Sequence, residues 1–394
     1  MARTHRPDYT FFLAVAALAV FGLLMILSAG QVQSFQLKGN GYFYFTQQLV
    51  SLFVGLAAFY VVQRVDYRVW KRLAVPLLGL AVALLLILFI PGVGFSHGGA
   101  MRWIDLGIVP LQVSEVAKLA LVVYLAAWLS GKRAQVDTFT GGLLPLGGIV
   151  LLLGGLVMLQ PDLGTTSIMA AMALSMYFTA GAPLRHIGAF FGGVAAIATV
   201  LIATAPYRLN RLLTFLDPAK DTQGTGYHVQ QALVAIGSGG LFGVGFNNSL
   251  QKHFFLPEPM NDSIFAVIGE ELGFFAAISV IAVFAFLARR GLRIARYAPD
   301  LFGRLLVTGI VTWVVFQTIV NVAAMLSLIP LTGVPLPFIS LGGSSLVVLM
   351  IAMGIVMNVS KHTVGDGKEA HAGSRSRWRK RRARRAGARG LGRA

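Results

Sequence analysis

Long uncharged apolar runs dominate the chain, and most charged residues lie in the segments between them. The longest uncharged runs cover residues 9–37, 73–101, 163–184 and 305–360. A membrane-spanning helix needs about 20 predominantly apolar residues, so each run can hold a span and the last can hold two. The whole pattern predicts ten spans, near residues 9–29, 45–63, 73–91, 112–130, 141–159, 163–181, 187–205, 264–288, 305–327 and 345–360.

The composition agrees with an all-α integral membrane protein. Hydrophobic residues make up 56% of the chain, charged residues make up 12%, and the mean hydropathy is +0.74. A soluble domain is typically about 25% charged. The first apolar segment is long enough to span and no small-residue cleavage site follows it, so no cleaved signal peptide is expected. The absence of cysteine excludes disulfides and thiolate metal sites.

Basic residues are distributed unevenly between alternate loops. With the N-terminus in the cytoplasm, most of the 33 Lys and Arg residues fall on the cytoplasmic side, which is the positive-inside pattern. The pattern predicts that both termini are cytoplasmic and that the loops at 92–111 and 206–263 face outward. Loop 206–263, between spans 7 and 8, is the larger of the two. Polar residues near it are therefore expected at the outer membrane–water boundary.

The net charge of +18 comes largely from the C-terminus. The segment 361–394 contains the block RSRWRKRRARRAGAR, whose composition is typical of a disordered basic tail. Next to a membrane span, such a tail favours anionic lipid head groups over nucleic acid. The sequence thus predicts a polytopic membrane domain, residues 1–360, followed by a cytoplasmic tail.

Two short segments at the outer boundary carry candidate chemistry. Glu115 and Lys118 are three residues apart within the fourth span, so they share a helix face and can pair. The pair either neutralises itself in the bilayer or marks a functional site. In QPDLGTTS, Asp162 either caps the sixth span or takes part in function. Arg102 and Trp103 precede the fourth span on the same side.

The long outer loop contributes further cations. Arg208 and Arg211 are three residues apart and either clamp a phosphate or reach lipid head groups. The glycine-rich stretch AIGSGGLFGVGF does not form a nucleotide-binding loop. A G-x-G-x-x-G match beginning at Gly237 would need glycine where Phe242 stands. These glycines are instead expected to let a membrane-hugging loop turn and pack closely.

The stretch FLPEPMNDSIFAVIGEELGF concentrates carboxylates in a chain that has only 15 acidic residues. It holds Glu258, Asp262, Glu270 and Glu271. An N-cap role for Asn261 or Asp262 would explain only one carboxylate. The two glutamates lie at membrane depth, where a charge is costly. Carboxylates and cations at a lipid–water boundary suit a substrate with a diphosphate head and an apolar tail.

Six strings together resemble one family, the SEDS (shape, elongation, division and sporulation) membrane proteins, which include FtsW and RodA. The strings are GAMRWIDLG, SEVAKLALVVYLA, QPDLGT, AIGSGGLFGVGF, FLPEPMNDSIFAVIGEELGF and TGVPLPFISLGGSS. They follow the family order over nearly the whole apolar part of the chain. QKHFFLPEP and PGVGFSHGGAMRW are more similar to FtsW, the septal member, than to RodA, the elongation member.

The resemblance implies a ten-helix peptidoglycan glycosyltransferase that polymerises lipid II on the outer face of the cytoplasmic membrane. Its implied partners are lipid II, the undecaprenyl-diphosphate-linked glycan, a class B penicillin-binding protein that crosslinks the strands, and division regulatory proteins. A divalent cation, Mg²⁺ or Mn²⁺, is the candidate cofactor. The alternatives are a flippase that moves lipid II without making bonds, a scaffold for the transpeptidase, and the elongation-type enzyme.

The family's functional residues carry over position by position. Its essential aspartate matches Asp262, its residues on the fourth span match Glu115 and Lys118, its preceding arginine matches Arg102, and its P-D-x-G-T aspartate matches Asp162. The chain departs from the family pattern around the aspartate, where Met260, Asn261 and Ser263 replace the usual residues. It also has Val113 in place of the proline of Q-P-S-E.

A mechanism follows from this resemblance as a hypothesis. Asp262 is the candidate general base that takes a proton from the acceptor hydroxyl. Arg102, Lys118 and Arg211 are expected to stabilise the diphosphate leaving group, with Glu115, Asp162 and Glu271 orienting those cations. The full set of candidate substrate-binding residues is Arg102, Trp103, Glu115, Lys118, Asp162, Arg208, Arg211, Glu258 and Glu271.

Overall fold

The apolar runs fold into helices, as their length and composition predict. The computed structural model describes residues 7–92, 94–97, 100–105, 110–131, 135–204, 211, 213–216, 224–253 and 255–363. Within these residues the helices are α1 Tyr9–Lys38, α2 Phe43–Val62, α3 Arg68–Ile87, α4 Val113–Leu129, α5 Leu144–Met158, α6 Leu163–Thr179, α7 Leu184–Thr204, α8 Thr225–Ser238, α9 Ile264–Arg296, α10 Leu301–Met325 and α11 Gly343–Ser360. A π-helical turn, Phe139–Leu143, leads into α5. Arg208 and the tail from residue 364 onward lie outside the described residues.

Each predicted span overlaps one of these helices. In the described part of the chain, seven helices are long and apolar enough to cross a membrane, counting α5 with its π turn, while α6 and the segment Leu184–Ile197 are apolar but shorter. The extra helix, α8, lies in the long loop before α9. Both α1 and α9 continue beyond their predicted ends, to Lys38 and Arg296, because a helix can extend past the roughly 20 residues that cross the hydrocarbon core.

Helices α10 and α11 form the centre of the bundle. About 72% of the apolar window of α10 and 83% of that of α11 are buried, against 17% for α3. Helix α10 packs against α4, α6 and α9, and α11 packs mainly against α2. Because α10 is surrounded by other helices, polar side chains on it can be shielded from lipid.

A small antiparallel sheet precedes α4 and was missed by the all-α prediction. Its strands β1 Gly94–His97, β2 Ala100–Ile104 and β3 Leu111–Gln112 pair in the order β1-β2-β3. Trp103 pairs with Gln112, and the register shifts between Phe95 and Ser96. The Gly98-Gly99 dipeptide between β1 and β2 is a hairpin signal that the search for long apolar runs overlooks. The sheet fixes Arg102 and Trp103 next to α4.

Helix α9 is interrupted at Gly273, whose φ of 77° and ψ of −174° are not helical. The glycine-rich segment 239–245 fills the break with four backbone hydrogen bonds. Val244 N and Gly245 N donate to Glu270 O and Glu271 O, both at 3.0 Å, while Phe274 N and Phe275 N donate to Gly240 O (2.9 Å) and Leu241 O (3.3 Å). The loop thus satisfies the groups that the break leaves without helical partners. The expected close packing is confirmed for Gly239 and Gly243, where a Cβ would come within 2.2 Å of backbone atoms of α9, whereas Gly237 has open space around it.

The opposite end of the bundle is tied by ion pairs and hydrogen bonds. Arg290 Nη2 lies 2.7 Å from Asp8 Oδ1, which joins the end of α9 to the start of α1. Tyr67 Oη donates to Asp300 Oδ2 at 2.7 Å and thereby joins α3 to α10. These contacts hold the helix ends together on the side away from Asp262.

Candidate functional site

Asp262 ends the turn that leads into α9, and it does not cap this helix. Ser263 occupies the N-cap position and makes no side-chain capping bond, so the predicted cap at Asn261 or Asp262 is wrong. The Asp262 residue is only 8% exposed, and its Oδ1 atom is buried without a hydrogen-bond partner. A buried carboxylate oxygen without a partner is rare in proteins. This oxygen therefore keeps unused hydrogen-bonding capacity.

The turn that carries Asp262 is held by elements distant in sequence. Asn321 Nδ2, on α10, donates to the backbone oxygen of Asp262 at 2.7 Å. From the segment between α10 and α11, Leu341 N donates to Met260 O at 2.8 Å, and Ser340 Oγ donates to Asn261 O at 2.5 Å. The position of Asp262 is therefore set by tertiary contacts and not by its own helix.

The surroundings of Asp262 change its acidity. Burial raises the pKa of its carboxyl from the ordinary 3.8 to about 7, and the neighbouring Glu258 carboxylate adds to the rise, whereas Arg211 opposes it. Glu258 itself has a positive φ of 47°, a conformation that is uncommon and strained for a residue with a side chain. Arg211 Nη1 donates to Leu331 O at 3.2 Å. Glu258 and Arg211 thus shift the pKa of the Asp262 carboxyl in opposite directions.

Arg102 and Asp162 form a second group. Asp162 caps α6, since its Oδ1 accepts from Thr165 N and its Oδ2 accepts from Thr165 Oγ1, both at 2.9 Å. Arg102 Nη1 lies 3.6 Å from Asp162 Oδ2, and the guanidinium donates to Gln160 O (3.2 Å) and Pro161 O (2.8 Å). Of the two interpretations of Asp162, capping is confirmed, and the ion pair with Arg102 accompanies it. Trp103 is half-buried next to Arg102 on β2.

The two groups meet through one segment between α10 and α11. Gly164, in the first turn of α6, lies so close to this segment that a Cβ there would come within 2.2 Å of Val334 Cγ2. A Cβ on Gly333 would lie 3.7 Å from Asp262 Oδ2. Thr332 Oγ1 is buried without a hydrogen-bond partner. The residues 332–334 therefore separate the Asp162 group from the Asp262 group by a single layer of chain.

Glu115 and Lys118 form the predicted pair inside the bundle. Both side chains are 1% exposed, and Lys118 Nζ lies 2.8 Å from Glu115 Oε1. Lys118 also donates to Gln317 Oε1 at 2.9 Å and lies 4.7 Å from the centre of the Trp313 ring. The pair is thus neutralised and additionally bonded to α10.

Gln317 and Asn321 connect this pair to Asp262, and the sequence reasoning missed both. They are four residues apart on α10, so they share a face. Gln317 Nε2 donates to Pro335 O at 2.9 Å, and Asn321 Nδ2 donates to Val334 O at 2.8 Å. Amide side chains at helical spacing inside an uncharged run are the signal that could have revealed them.

Glu270 and Glu271 lie in a separate buried cluster. Glu271 is 0% exposed, its Oε1 lies 2.8 Å from Lys252 Nζ, and it accepts from Ser28 Oγ. Glu270 accepts from Leu250 N at 2.9 Å and from Ser249 Oγ. Lys252 and the loop amides therefore compensate the two carboxylates. Lys252 is another residue that the sequence reasoning missed. It is the ion-pair partner of Glu271, whereas the sequence predicts that Glu271 orients the cations of the site.

The described residues contain no group of three or more His, Asp or Glu side chains that could hold a metal ion. They do not fit a metal site closed by protein ligands alone. Magnesium often uses only one or two carboxylates together with substrate phosphates, and a cation of that kind would need the diphosphate itself.

Comparison with known proteins gives consistent matches along the chain. A family model described as "Cell cycle protein" and named for FtsW, RodA and SpoVE matches residues 9–365. The chain is 38% identical over 358 residues to stage V sporulation protein E of Bacillus subtilis, covering 91% of this chain and 98% of that protein. It is 40% identical over 360 residues to the probable peptidoglycan glycosyltransferase FtsW of Trichlorobacter lovleyi, covering 91% and 94%.

Several solved structures are similar in fold, and two of them illustrate the match. One is described as "Structural coordination of polymerization and crosslinking by a peptidoglycan synthase complex", with a TM-score of 0.77 and 28% identity over 91% of this chain and 99% of that chain. The other is the rod shape determining protein RodA of Thermus thermophilus, with a TM-score of 0.68 and 27% identity over 91% and 98%. The resemblance inferred from the sequence motifs is confirmed by these matches.

Proposed function

This chain belongs to the FtsW, RodA and SpoVE family of cell cycle proteins, and we propose that it is a peptidoglycan glycosyltransferase that polymerises lipid II into glycan strands. The observation that carries the proposal is the carboxyl group of Asp262. It is buried, it does not cap its helix, and one of its oxygens has no hydrogen-bond partner. A structural role does not require such a group.

The proposed arrangement in the membrane has ten spans, α1–α7 and α9–α11, in the bacterial cytoplasmic membrane. Both termini face the cytoplasm, and the loop containing α8 faces outward. This orientation is supported by the excess of Lys and Arg in the opposite loops. It brings the Asp262 turn and the sheet to the outer surface, where lipid-linked sugar is polymerised.

In the proposed reaction, the C4 hydroxyl of the N-acetylglucosamine of lipid II attacks the anomeric carbon of the growing strand. A carbon–oxygen bond forms there while the bond to the undecaprenyl diphosphate breaks. The Asp262 carboxylate accepts the hydroxyl proton, and the diphosphate departs with the electron pair of the broken bond. A base with a pKa of about 7 suits this transfer near neutral pH, because general bases work best close to the working pH.

The diphosphate requires positive charge as the bond breaks. Arg211 acts on Asp262 electrostatically and is proposed to bind the diphosphate together with Arg102. Arg102 is partly exposed, at 21% of its side chain, and is oriented by Asp162. Lys118 is already engaged by Glu115 and Gln317, so we assign it to shaping the site. No step is assigned to a divalent cation.

The cellular role proposed is septal synthesis during division. It is supported by the relatives that carry the FtsW name. A class B penicillin-binding protein is the proposed partner, since one similar solved structure is described as coordinating polymerization and crosslinking. Division regulatory proteins and anionic lipids at the basic tail complete the proposed set of partners.

The test is lipid II polymerisation by the purified full-length chain with its cognate transpeptidase and Mg²⁺ or Mn²⁺. Wild type is expected to make polymer, and Asp262→Ala is expected to lose at least about 100-fold in rate, as removal of a general base does. Asp66→Ala is the matched control, because Asp66 is exposed and far from the site.

The outcomes separate the alternatives. Equal polymer from wild type and Asp262→Ala would remove Asp262 from the reaction. No polymer from wild type in an intact complex with the transpeptidase would contradict the glycosyltransferase, and lipid II translocation in liposomes would then support the flippase. A scaffold would retain function in cells when Asp262 is replaced.

A further inference from the structure

A buried histidine contacts the turn that carries Asp262. His228 lies in the first turn of α8, is 7% exposed, and its Nε2 atom is 2.6 Å from Ser263 Oγ. Ser263 follows Asp262 directly, and its Oγ lies 2.7 Å from Pro257 O. His228 is thus connected through one hydroxyl to both ends of the turn from Pro257 to Ser263.

The direction of these hydrogen bonds can be deduced. A carbonyl oxygen only accepts, so Ser263 Oγ uses its single proton to donate to Pro257 O. The same oxygen must then accept from His228, which therefore carries its proton on Nε2. Burial lowers the pKa of His228 to about 4, and Arg211 adds to this effect. The imidazole is consequently neutral at any pH at which the protein would work.

The turn from Pro257 to Ser263 needs a stabilising contact on the side that faces α8. It contains Glu258 at a φ of 47°, and strained backbone persists only where the surroundings hold it. The contacts from Asn321, Ser340 and Leu341 all come from α10 and the segment after it. Helix α8 approaches from the preceding loop, and it is fixed against α9 where Gly239 lies so close to Gly269 O that a Cβ would not fit.

We propose that His228 is a positioning residue for Asp262, acting as a neutral hydrogen-bond donor through Ser263. The inference rests on the proposed function and deepens it, since it concerns the same carboxyl group. His228 touches neither substrate nor the reacting atoms. It keeps the turn closed, which holds the Asp262 carboxyl buried beside Glu258 and opposite Arg211.

This role predicts a change in pH dependence that a merely structural residue would not cause. The base must be deprotonated, so the rate of wild type should rise with pH and level off above a midpoint near 7. Loosening the turn admits water to Asp262, which lowers its pKa towards the ordinary value of 3.8. The midpoint of the rate profile should fall with it.

The experiment compares polymerisation rates of full-length variants between about pH 5.5 and 8.5, bracketing the Asp262 pKa. His228→Leu and Ser263→Ala should each lose about 10- to 100-fold in kcat, because a small misplacement of the Asp262 carboxyl has an effect of that size. Their KM should be nearly unchanged, and the midpoint of their pH–rate profile should be lower. The double variant should lose no more than either single variant. His228→Gln, whose amide still donates, should keep the midpoint, and His253→Leu, at an exposed histidine of the same loop, should behave as wild type.

Either a wild-type rate and midpoint in His228→Leu, or a rate loss with no change of midpoint, would overturn the positioning role. A wild type that makes no polymer would overturn the proposed function instead. In that case the positioning role of His228 is tested by amide hydrogen exchange of the wild type and the His228 variants. Faster exchange at Asn261 and Ser263 in His228→Leu, but not in His228→Gln, supports the positioning contact, and unchanged exchange overturns it.

Discussion

The Lys252–Glu271 pair illustrates how single residues make a charged helix tolerable inside a membrane protein. Both side chains are at most 1% exposed, and their charged atoms are 2.8 Å apart. Asn247 Oδ1 and Ser28 Oγ accept from the same ammonium group, at 2.7 and 3.0 Å. Such a pair contributes little net stability when intact, but removal of one partner leaves a buried charge without compensation.

Lys252→Met is therefore expected to destabilise the protein by about 3–5 kcal/mol, measured by thermal or denaturant unfolding in detergent. Lys38→Met is the matched control, because Lys38 is exposed at the end of α1 and its loss should change stability by less than about 0.5 kcal/mol. The double variant Lys252→Met/Glu271→Gln should recover part of the loss. Equal stability of Lys252→Met and wild type would show that Glu271 does not depend on this lysine.

For single residues, the sequence predicted which side chains belong to the candidate site better than it predicted what those side chains contact. Asp262 was selected from its motif, and the pairing of Glu115 with Lys118 followed from a spacing of three. The capping role of Asp162 was one of two stated alternatives. The burial of Asp262 could not be predicted, because Asn321 and Ser340, which hold its turn, are 59 and 79 residues distant from their partners.

Helix α9 shows how an element can be interrupted and still be continuous in its hydrogen bonding. Gly243 lies inside the loop that fills the break, with a φ of 79°. A Cβ on Gly243 would lie 2.2 Å from Glu271 O. Both the backbone conformation and the lack of space therefore require glycine at this position.

Gly243→Ala is expected to cost at least about 1–2 kcal/mol from the backbone conformation alone, and more because the loop must move away from α9. Thermal unfolding in detergent measures the effect. Gly237→Ala is the control, since Gly237 lies in α8 with open space around it, and the substitution should be neutral or stabilising by up to about 1 kcal/mol. Similar unfolding temperatures for the two variants would contradict the proposed role of the loop in completing α9.

The sequence predicted the helices but missed the sheet and the interruption of α9, and there is a physical reason for the difference. Every long apolar run gave a helix, because in lipid the backbone must satisfy its own hydrogen bonds. The sheet was missed because its strands have only two to five residues, too few for a periodic signal. The interruption at Gly273 was also missed, since the residues around it read as continuous helix and only the loop that fills the break permits it.

The arrangement of the whole molecule in the membrane can be tested because the chain contains no cysteine. Single cysteines at Lys38→Cys and Arg185→Cys occupy exposed positions at the ends of α1 and α7. The proposed orientation predicts that a membrane-impermeant maleimide labels intact spheroplasts at position 38 only, and labels both positions after lysis. Labelling at position 185 in intact spheroplasts would reverse the orientation and move the Asp262 turn to the cytoplasmic side.

The loop that fills the break in α9 also has a consequence for biosynthesis. Segment 239–245 is synthesised before α9 and supplies the partners for Glu270, Glu271, Phe274 and Phe275. Until the loop docks, an inserting α9 either forms an unbroken helix or exposes these backbone groups to lipid, at a cost of several kcal/mol for each. The interrupted form of α9 is therefore expected only once the loop translated before it has docked, which couples the docking of this loop to the insertion of α9.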